Sequence, residues 1–387
     1  MRLLFTSPPG MAHLYPMTPL AHAARTSGHE VLVATSGATV SAATGAGLHT
    51  VDIARGQGVD RPYEQLAETV KESELAPPEL MVEVATRFGE MSELMLDGLV
   101  RTAKAWRADA IVYPPAFPAG LLAAKICGIH SVLHGFGLRR PTLMPAMEQL
   151  LDTASGWGVT ALPRDPDLEI SISPPTVEAA SMTPDSMQGQ ENADALRMRY
   201  LPENGGAELP SWLVEESARP RVVVTLGSMP STVGDGDVLS EIVRGAGDMD
   251  VELVLMSARS DLPGMPEKIP DNVRMVGWLP IPALLSSSSS IVHHGGMGST
   301  FAAFAAGVPQ VVVPHGGDRV YNAQVVDECG AGLSIPLFEV DEARVGRELR
   351  RILNTPGYSQ VSDVISREMA GGMSPHDVVH RMTEIFS

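Results

Sequence analysis

The chain has few cysteines, little positive charge and no long apolar run. Cys127 and Cys329 are its only cysteines and lack metal-type spacing, so we expect no disulfide, no structural zinc and a reducing, cytoplasmic compartment. With 28 basic against 46 acidic residues the formal net charge is −18, which argues against a nucleic-acid partner. No apolar run reaches the roughly 18 residues of a membrane span. Pro8, Pro9 and Gly10 interrupt the first apolar stretch, so we expect no secretory signal there.

Short apolar runs, many of them β-branched, recur along the chain. Each is followed by a turn rich in Gly, Pro, Ser or His and then by a helical pattern. Strands that are apolar on both faces and alternate with helices predict parallel sheets in an α/β protein. The predicted strands include residues 3–5, 31–34, 110–112, 221–226, 251–256, 290–292 and 310–313.

The α/β pattern occurs in two blocks, which predicts two domains. Proline-rich segments follow the first block from about residue 140, and a stretch rich in Gly, Pro and acidic residues precedes the second. We predict an N-terminal domain over 1–205, a linker over 206–220 and a C-terminal domain over 221–370. Residues 371–387 predict a capped amphipathic helix, which we expect to cross back to the N-terminal domain.

The segment SIVHHGGMGST at 290–300 joins a strand pattern to a helical pattern through two histidines and three glycines. We predict that Ser299 and Thr300 cap a helix over FAAFAA that Gly307 closes. The first amide groups of a helix lack partners and carry partial positive charge, so this turn favours a phosphate group. The imidazole of His294 and the two hydroxyls add donors. The alternative is a tight turn that needs positive φ, with its histidines in the core.

Three further segments carry polar or aromatic residues that are candidates for a ligand site. Gly227 and Ser228 follow a strand of the second block, and ligands of doubly wound sheets bind at the carboxyl ends of strands. Asp318, beside two glycines, either binds the paired hydroxyls of a sugar or caps a helix beginning near Val320. Trp278 either stacks on a nucleobase or lies in the core.

Three motifs, in this order and spacing, carry a resemblance: GWLP, HHGGMGST and PHGGDRVYN. They resemble the donor-binding signature of bacterial natural-product glycosyltransferases of the GT-B fold, such as those acting on macrolides, enediynes and aromatic polyketides. The stretch FTSPPGMAHLYPMTPLAHAARTSGHEV is similar to the opening of that family's acceptor domain. The resemblance implies an α/β protein with two Rossmann-like, doubly wound domains facing across a cleft. The N-terminal domain would bind the acceptor and the C-terminal domain the nucleotide-sugar.

The resemblance also implies the donor and its contacts. Relatives that use ribonucleotide donors hold the ribose with a glutamate in the helix after the His-Gly turn, whereas FAAFAA contains no acid. Loss of that contact fits a 2′-deoxyribose, so we expect a dTDP-deoxysugar as co-substrate and no cofactor. The implied donor-binding residues are Gly227, Ser228, Trp278, His294, Gly295, Gly296, Gly298, Ser299, Thr300, Asp318 and Arg319.

His13 aligns with the family's general base, which removes a proton from the acceptor hydroxyl as that oxygen attacks the anomeric carbon with inversion. An imidazole with an ordinary pKa near 6.5 suits this task. Two positions depart from the family pattern: Ala12 replaces a glycine, and Tyr113 stands where relatives commonly carry the aspartate that orients the base. Another acid, an acidic acceptor hydroxyl such as a phenol, or attack from carbon would each accommodate this difference.

Tyr113, His134 and Arg139 are predicted to line the acceptor pocket, and for His134 and Arg139 the alternative is an ordinary surface position. The methionine-rich, weakly charged stretch at 141–200 favours an apolar small-molecule acceptor such as a polyketide aglycone. A homodimer is an open expectation.

Two Asp-x-Asp segments, at 235–237 and 248–250, resemble metal-binding patterns but read as a helix start and a helix-to-strand loop, so we predict no metal site. Two other functions stay open. A sugar-nucleotide epimerase on the same scaffold would change the dTDP-sugar without an acceptor, and a non-catalytic partner protein would bind dTDP without turnover. A nicotinamide-dependent enzyme ranks last, because GGMGST lacks the third glycine of G-x-G-x-x-G.

Overall fold

Two parallel sheets organise the chain, each within its own unit. A computed structural model describes residues 1–72, 77–139, 142–181, 195–215, 217–227, 235–257, 265 and 268–387. The first unit holds Met1–Ser173, the described part of Met182–Gly205, and Gly371–Ser387. The second holds Pro174–Ser181 and Gly206–Ala370. The α/β class predicted from the sequence is therefore confirmed.

The first unit contains a seven-stranded sheet in the order β3-β2-β1-β4-β5-β6-β7. Every pairing in it is parallel, with Leu3 of β1 opposite Val31 of β2 and Ala110 of β4. The strand order reverses between β1 and β4, which makes the carboxyl ends of those two strands the expected ligand position. The strands are β1 (Arg2–Thr6), β2 (Glu30–Thr35), β3 (Thr50–Asp52), β4 (Ala110–Tyr113), β5 (His130–His134), β6 (Leu168–Ser171) and β7 (Leu196–Arg197).

The helices of the first unit cover that sheet. The 30-residue α5 contributes Met95, Leu96 and Leu99 to the main core cluster, and Phe117 joins them from the loop before α6. The helices are α1 (Met11–Leu14), α2 (Thr18–Thr26), α3 (Ala38–Gly45), α4 (Asp60–Glu72), α5 (Pro77–Trp106), α6 (Ala119–Cys127), α7 (Met144–Glu148) and α8 (Leu151–Gly156). Regular elements thus continue past residue 140, where the prolines had predicted a break in the pattern.

The second unit contains a six-stranded parallel sheet in the order β10-β9-β8-β11-β12-β13. Its order reverses between β8 and β11, so these two strands flank the second expected ligand position. The strands are β8 (Arg221–Thr225), β9 (Glu252–Met256), β10 (Val273–Val276), β11 (Ser290–His293), β12 (Gln310–Val312) and β13 (Gly332–Ser334). The helices are α9 (Pro175–Ser181), α10 (Ser211–Val214), α11 (Asp235–Gly247), α12 (Ile281–Leu285), α13 (Met297–Ala306), α14 (Asp318–Glu328), α15 (Glu342–Asn354) and α16 (Pro356–Ala370).

The last helix, α17 (Pro375–Ile385), belongs to the first unit. It begins with a capping box, in which the Ser374 side chain accepts from the backbone N–H of Asp377 and the Asp377 carboxylate accepts from the backbone N–H of Ser374. The helix packs on α2 of the same unit, and Met373 pairs with Met198. Within the described ranges, no helix is both long and apolar enough to cross a bilayer.

Candidate donor and acceptor sites

The turn after β11 forms a strand-to-helix junction at the point where the strand order of the second sheet reverses. The strand ends at His293, Gly296 is the N-cap of α13 with φ −64°, and Gly307 closes the helix with φ +68°. The prediction that Ser299 and Thr300 cap the helix is wrong, because the helix begins earlier, at Met297. The Thr300 hydroxyl instead donates to the carbonyl oxygen of Gly296 at 3.0 Å. Ser299 is buried in the first turn, whereas Gly298 is exposed there.

His294 lies between two glycines that come from different turns. A Cβ on Gly227 would stand 2.5 Å from Cε1 of the His294 ring, and a Cβ on Gly296 would stand 2.5 Å from its Nε2. Gly227 follows β8 with φ +92°, a conformation that favours glycine. The two turns of the reversal point therefore meet at this ring. Ser228, predicted beside Gly227, lies outside the described residues.

The Gly295 backbone is held by the helix that follows β12. Gly295 has φ +85°, and its carbonyl oxygen accepts a hydrogen bond from Nδ2 of Asn322 at 2.8 Å. A Cβ on Gly295 would stand 2.8 Å from the carbonyl oxygen of Arg319. Asn322 was not singled out from the sequence, although it lies in the PHGGDRVYN motif.

Asp318 is the first residue of α14, behind a Gly317 N-cap with φ +63°. The prediction of a helix beginning near Val320 is thus two residues late. Asp318 is exposed, and as an acid in the first turn it is favoured by the helix dipole. Arg319 is half-buried, with its backbone against Gly295.

Trp278 follows β10 and is 48% exposed, so it is not a core residue. It lines a pocket of about 420 Å³ with Trp212, Leu209, Pro210 and Glu208. A second indole and two apolar side chains make this pocket suited to a flat ring. An exposed indole in such a pocket can stack on a nucleobase.

His13 lies on α1, just after β1, and is 8% exposed. Its ring contacts Phe88 edge-on at a centroid distance of 5.3 Å and Phe136 at 4.8 Å. Nδ1 has no hydrogen-bond partner among the residues that the structure describes. Burial lowers the pKa of His13 to about 4, so the ring is neutral at physiological pH. Aromatic packing, which the sequence pattern did not reveal, thus holds this imidazole.

Tyr113 is the last residue of β4 and is fully buried, in the main core cluster of the first unit. Its hydroxyl and the Thr142 hydroxyl hydrogen-bond at 3.2 Å, and burial raises the pKa of Tyr113. Tyr113, which stands where relatives commonly carry an aspartate, therefore has its hydroxyl hydrogen-bonded to Thr142.

Of the two other predicted acceptor residues, His134 ends β5 and Arg139 lies in the loop that follows it. His134 is fully buried and its Nδ1 lies 2.6 Å from the Gly135 carbonyl oxygen, while Nε2 has no hydrogen-bond partner in the described part of the chain. Burial lowers the pKa of His134 to about 4. Arg139 forms a bidentate ion pair with Glu169, with N···O distances of 2.7 and 3.0 Å. This pairing ties the loop after β5 to β6.

The two Asp-x-Asp segments form a helix start and a helix-to-strand loop, as the sequence predicted. Residues 235–237 begin α11, and residues 248–250 form the loop between α11 and β9, where Asp250 pairs with Arg219 at 3.0 Å. In the described ranges, no group of three or more His, Cys, Asp or Glu residues could hold a metal ion.

Comparison with known proteins agrees with this architecture. Residues 22–227 match the family described as Erythromycin biosynthesis protein CIII-like, N-terminal domain, and residues 240–385 match its C-terminal domain. The aclacinomycin-T 2-deoxy-L-fucose transferase of Streptomyces galilaeus is 32% identical, over 98% of this chain and 94% of that protein.

Solved structures show the same likeness. The glycosyltransferase SnogD from Streptomyces nogalater superposes with a TM-score of 0.84 and 32% identity, over 100% of this chain and 99% of that one. The glycosyltransferase VinC, solved in complex with dTDP, has a TM-score of 0.79 and 29% identity, over 100% and 99%. The two parallel-sheet units and these neighbours define a glycosyltransferase of the GT-B fold. The chain belongs to the Erythromycin biosynthesis protein CIII-like family of natural-product glycosyltransferases.

Proposed function

We propose that the protein is an inverting glycosyltransferase that moves a deoxysugar from a dTDP-sugar to the hydroxyl of an apolar, polyketide-like aglycone. One observation carries the donor half of this proposal. At the strand reversal of the second sheet, His294 lies between the turns of Gly227 and Gly296, at the N-terminus of α13. Amide groups at a helix start, joined by an imidazole, suit the diphosphate of a nucleotide-sugar. A relative of this fold, VinC, was solved with dTDP.

Two further features support the assignment of the nucleotide. The exposed Trp278, in its pocket with Trp212, offers a stacking surface for the base. The first turns of α13 carry no acid to bond a 2′-hydroxyl, which favours a deoxyribose. Asp318, exposed at the start of α14, is proposed to accept hydrogen bonds from sugar hydroxyls.

We propose that His13 removes the proton of the acceptor hydroxyl while that oxygen forms the new bond to the anomeric carbon. The anomeric bond to the dTDP oxygen breaks in the same step, and the diphosphate leaves with the electron pair. Its charge is stabilised by amide dipoles and His294 without a metal ion. We place the reaction in the cytoplasm, since both cysteines are free thiols.

The surroundings of His13 favour a phenolic acceptor. No described residue bonds to its Nδ1, so no carboxylate there supports the developing imidazolium. With a pKa of about 4, His13 is a weak base. Transfer of a proton to His13 from a phenol, of pKa about 10, costs about 8 kcal/mol because of the difference in pKa. Transfer from an aliphatic alcohol costs about twice as much. Phe88 and Phe136 also suit an aromatic acceptor.

The test is an acceptor panel with matched phenolic and aliphatic hydroxyls, assayed with dTDP-deoxysugars by mass spectrometry. We expect transfer to phenols, with inverted anomeric configuration by NMR and an unchanged rate in EDTA. Incubation of the dTDP-sugar alone should leave it unaltered, whereas an epimerase would convert it. Binding of dTDP without transfer to any member of the panel would argue for a non-catalytic protein.

The role of His13 is tested by His13→Ala, with His22→Ala of the same unit as the control. A general base supplies about 10²- to 10⁴-fold, so we expect kcat for His13→Ala to fall by that factor. The dissociation constant of dTDP should stay unchanged in both variants. An equal loss of dTDP affinity in His13→Ala would remove this residue from the catalytic role.

A further inference from the structure

His293, the last residue of β11, lies fully buried directly below the donor turn. Its Nδ1 accepts a hydrogen bond from the backbone N–H of Gly295, with an N···N distance of 3.1 Å. Because Nδ1 is an acceptor, the proton of the neutral ring lies on Nε2. That nitrogen is 2.9 Å from Oε1 of Gln310, on the neighbouring strand β12. The bond to Gln310 therefore selects the tautomer that can hold Gly295.

The same peptide segment is held from the other side. The carbonyl oxygen of Gly295 accepts from Asn322, and its Cα lies too close to Arg319 and Val312 to admit a Cβ. With N–H, C=O and Cα all engaged, Gly295 keeps its left-handed φ of +85°. This conformation decides where the chain places His294 before it and Gly296 after it.

We propose that His293 is a positioning residue for donor binding: through the Gly295 N–H it presets the backbone that carries His294 and the first amide groups of α13. This inference rests on the proposed binding of a diphosphate at that turn. A site whose donors are already oriented loses less conformational freedom when the ligand binds. Burial lowers the pKa of His293 to about 4, so the required neutral ring persists at physiological pH.

The role can be tested with a pair of variants of equal shape. His293→Asn places an amide oxygen near the position of Nδ1 and can still accept from Gly295. His293→Leu has the same branching and no acceptor. Titration calorimetry with dTDP should give a dissociation constant within about threefold of the parent for His293→Asn, and at least about tenfold weaker for His293→Leu. The donor KM should rise in His293→Leu while the acceptor KM stays constant.

A second measurement reads the tautomer without any ligand. In ¹⁵N-histidine-labelled protein, His293 should show the shifts of a neutral ring protonated at Nε2, unchanged from pH 5.5 to 8. A ring protonated at Nδ1 would overturn the inference. So would equal dTDP affinity in the Asn and Leu variants when both melt cooperatively. If the parent chain itself binds no dTDP, that result refutes the proposed function, and the positioning role of His293 in donor binding is refuted as well.

Discussion

Replacing Gly227 by alanine is expected to weaken nucleotide binding by displacing the His294 ring. The new Cβ would stand 2.5 Å from Cε1 and 2.8 Å from Nε2, where ordinary contacts begin at 3.4 Å, so the ring must move by about 1 Å. That shift is enough to break a hydrogen bond to a charged phosphate oxygen, which contributes about 1.5–3 kcal/mol. We therefore expect the dissociation constant of dTDP to rise by roughly 10- to 150-fold.

The same substitution also strains the backbone, and matched variants separate the two effects. Gly227 has φ +92°, and a side chain there costs about 1–2 kcal/mol of stability. Gly330→Ala introduces similar strain at φ +75°, but its nearest neighbour is 3.8 Å away and it lies outside the site. Gly296→Ala introduces the contact with His294 at an ordinary φ of −64°.

The assay combines dTDP titration calorimetry with thermal melting of all three variants. Gly227→Ala and Gly296→Ala should lose affinity, while Gly330→Ala should lose stability alone. The reasoning is refuted if Gly227→Ala binds dTDP as tightly as the parent chain, or if Gly330→Ala weakens binding to the same degree.

Three other predictions concern the pH dependence of stability, the binding of the nucleobase and the binding of the sugar. His13, His134 and His293 have folded pKa values of about 4 against 6.5 in the unfolded chain, so the unfolded state binds more protons as pH falls below 6.5. Protonation of each of these imidazoles in the unfolded chain should lower the free energy of unfolding by up to about 3 kcal/mol at pH 4. Urea midpoints that stay constant from pH 7 to 5 would contradict this. Trp278→Ala should weaken dTDP binding by roughly 5- to 150-fold, by loss of about 1–3 kcal/mol of stacking, without changing the affinity for pyrophosphate. Asp318→Asn should raise the KM of the dTDP-sugar and leave the dissociation constant of dTDP unchanged, and a parallel loss of both would place Asp318 on the nucleotide.

The strands predicted from the sequence, β1, β2, β4, β8, β9, β11 and β12, were recognisable because most of their residues are buried on both faces. Runs such as 110–112 and 222–224 are continuously apolar, and period and composition alone identify them. The elements between 140 and 200 were missed because prolines flank them, because β6 carries a glutamate and a serine in its four residues, and because β7 has only two residues. These elements owe their order to packing against neighbours, which no local pattern records.

The strand-to-helix junction at 290–300 was predictable from the sequence, whereas the contacts that hold it were not. Glycines and histidines between a strand and a helix already indicate an anion site, since that chemistry depends on local backbone groups. The partners of those groups come from distant positions. Gln310 is the one polar residue in an apolar strand, which was the available signal, whereas Asn322 gave no sign that it would bond to Gly295.

The sequence by itself determined the α/β class, the two blocks of strands and the strand-to-helix turn at 290–300, because each follows from local periodicity and backbone preference. Only the tertiary structure decided that Gly227 and Gly296 enclose the His294 ring, that His293 bonds to Gly295, and that two phenylalanines contact the His13 ring. Contacts between residues far apart in the chain depend on how strands are ordered in a sheet, and a single sequence carries that order only through packing.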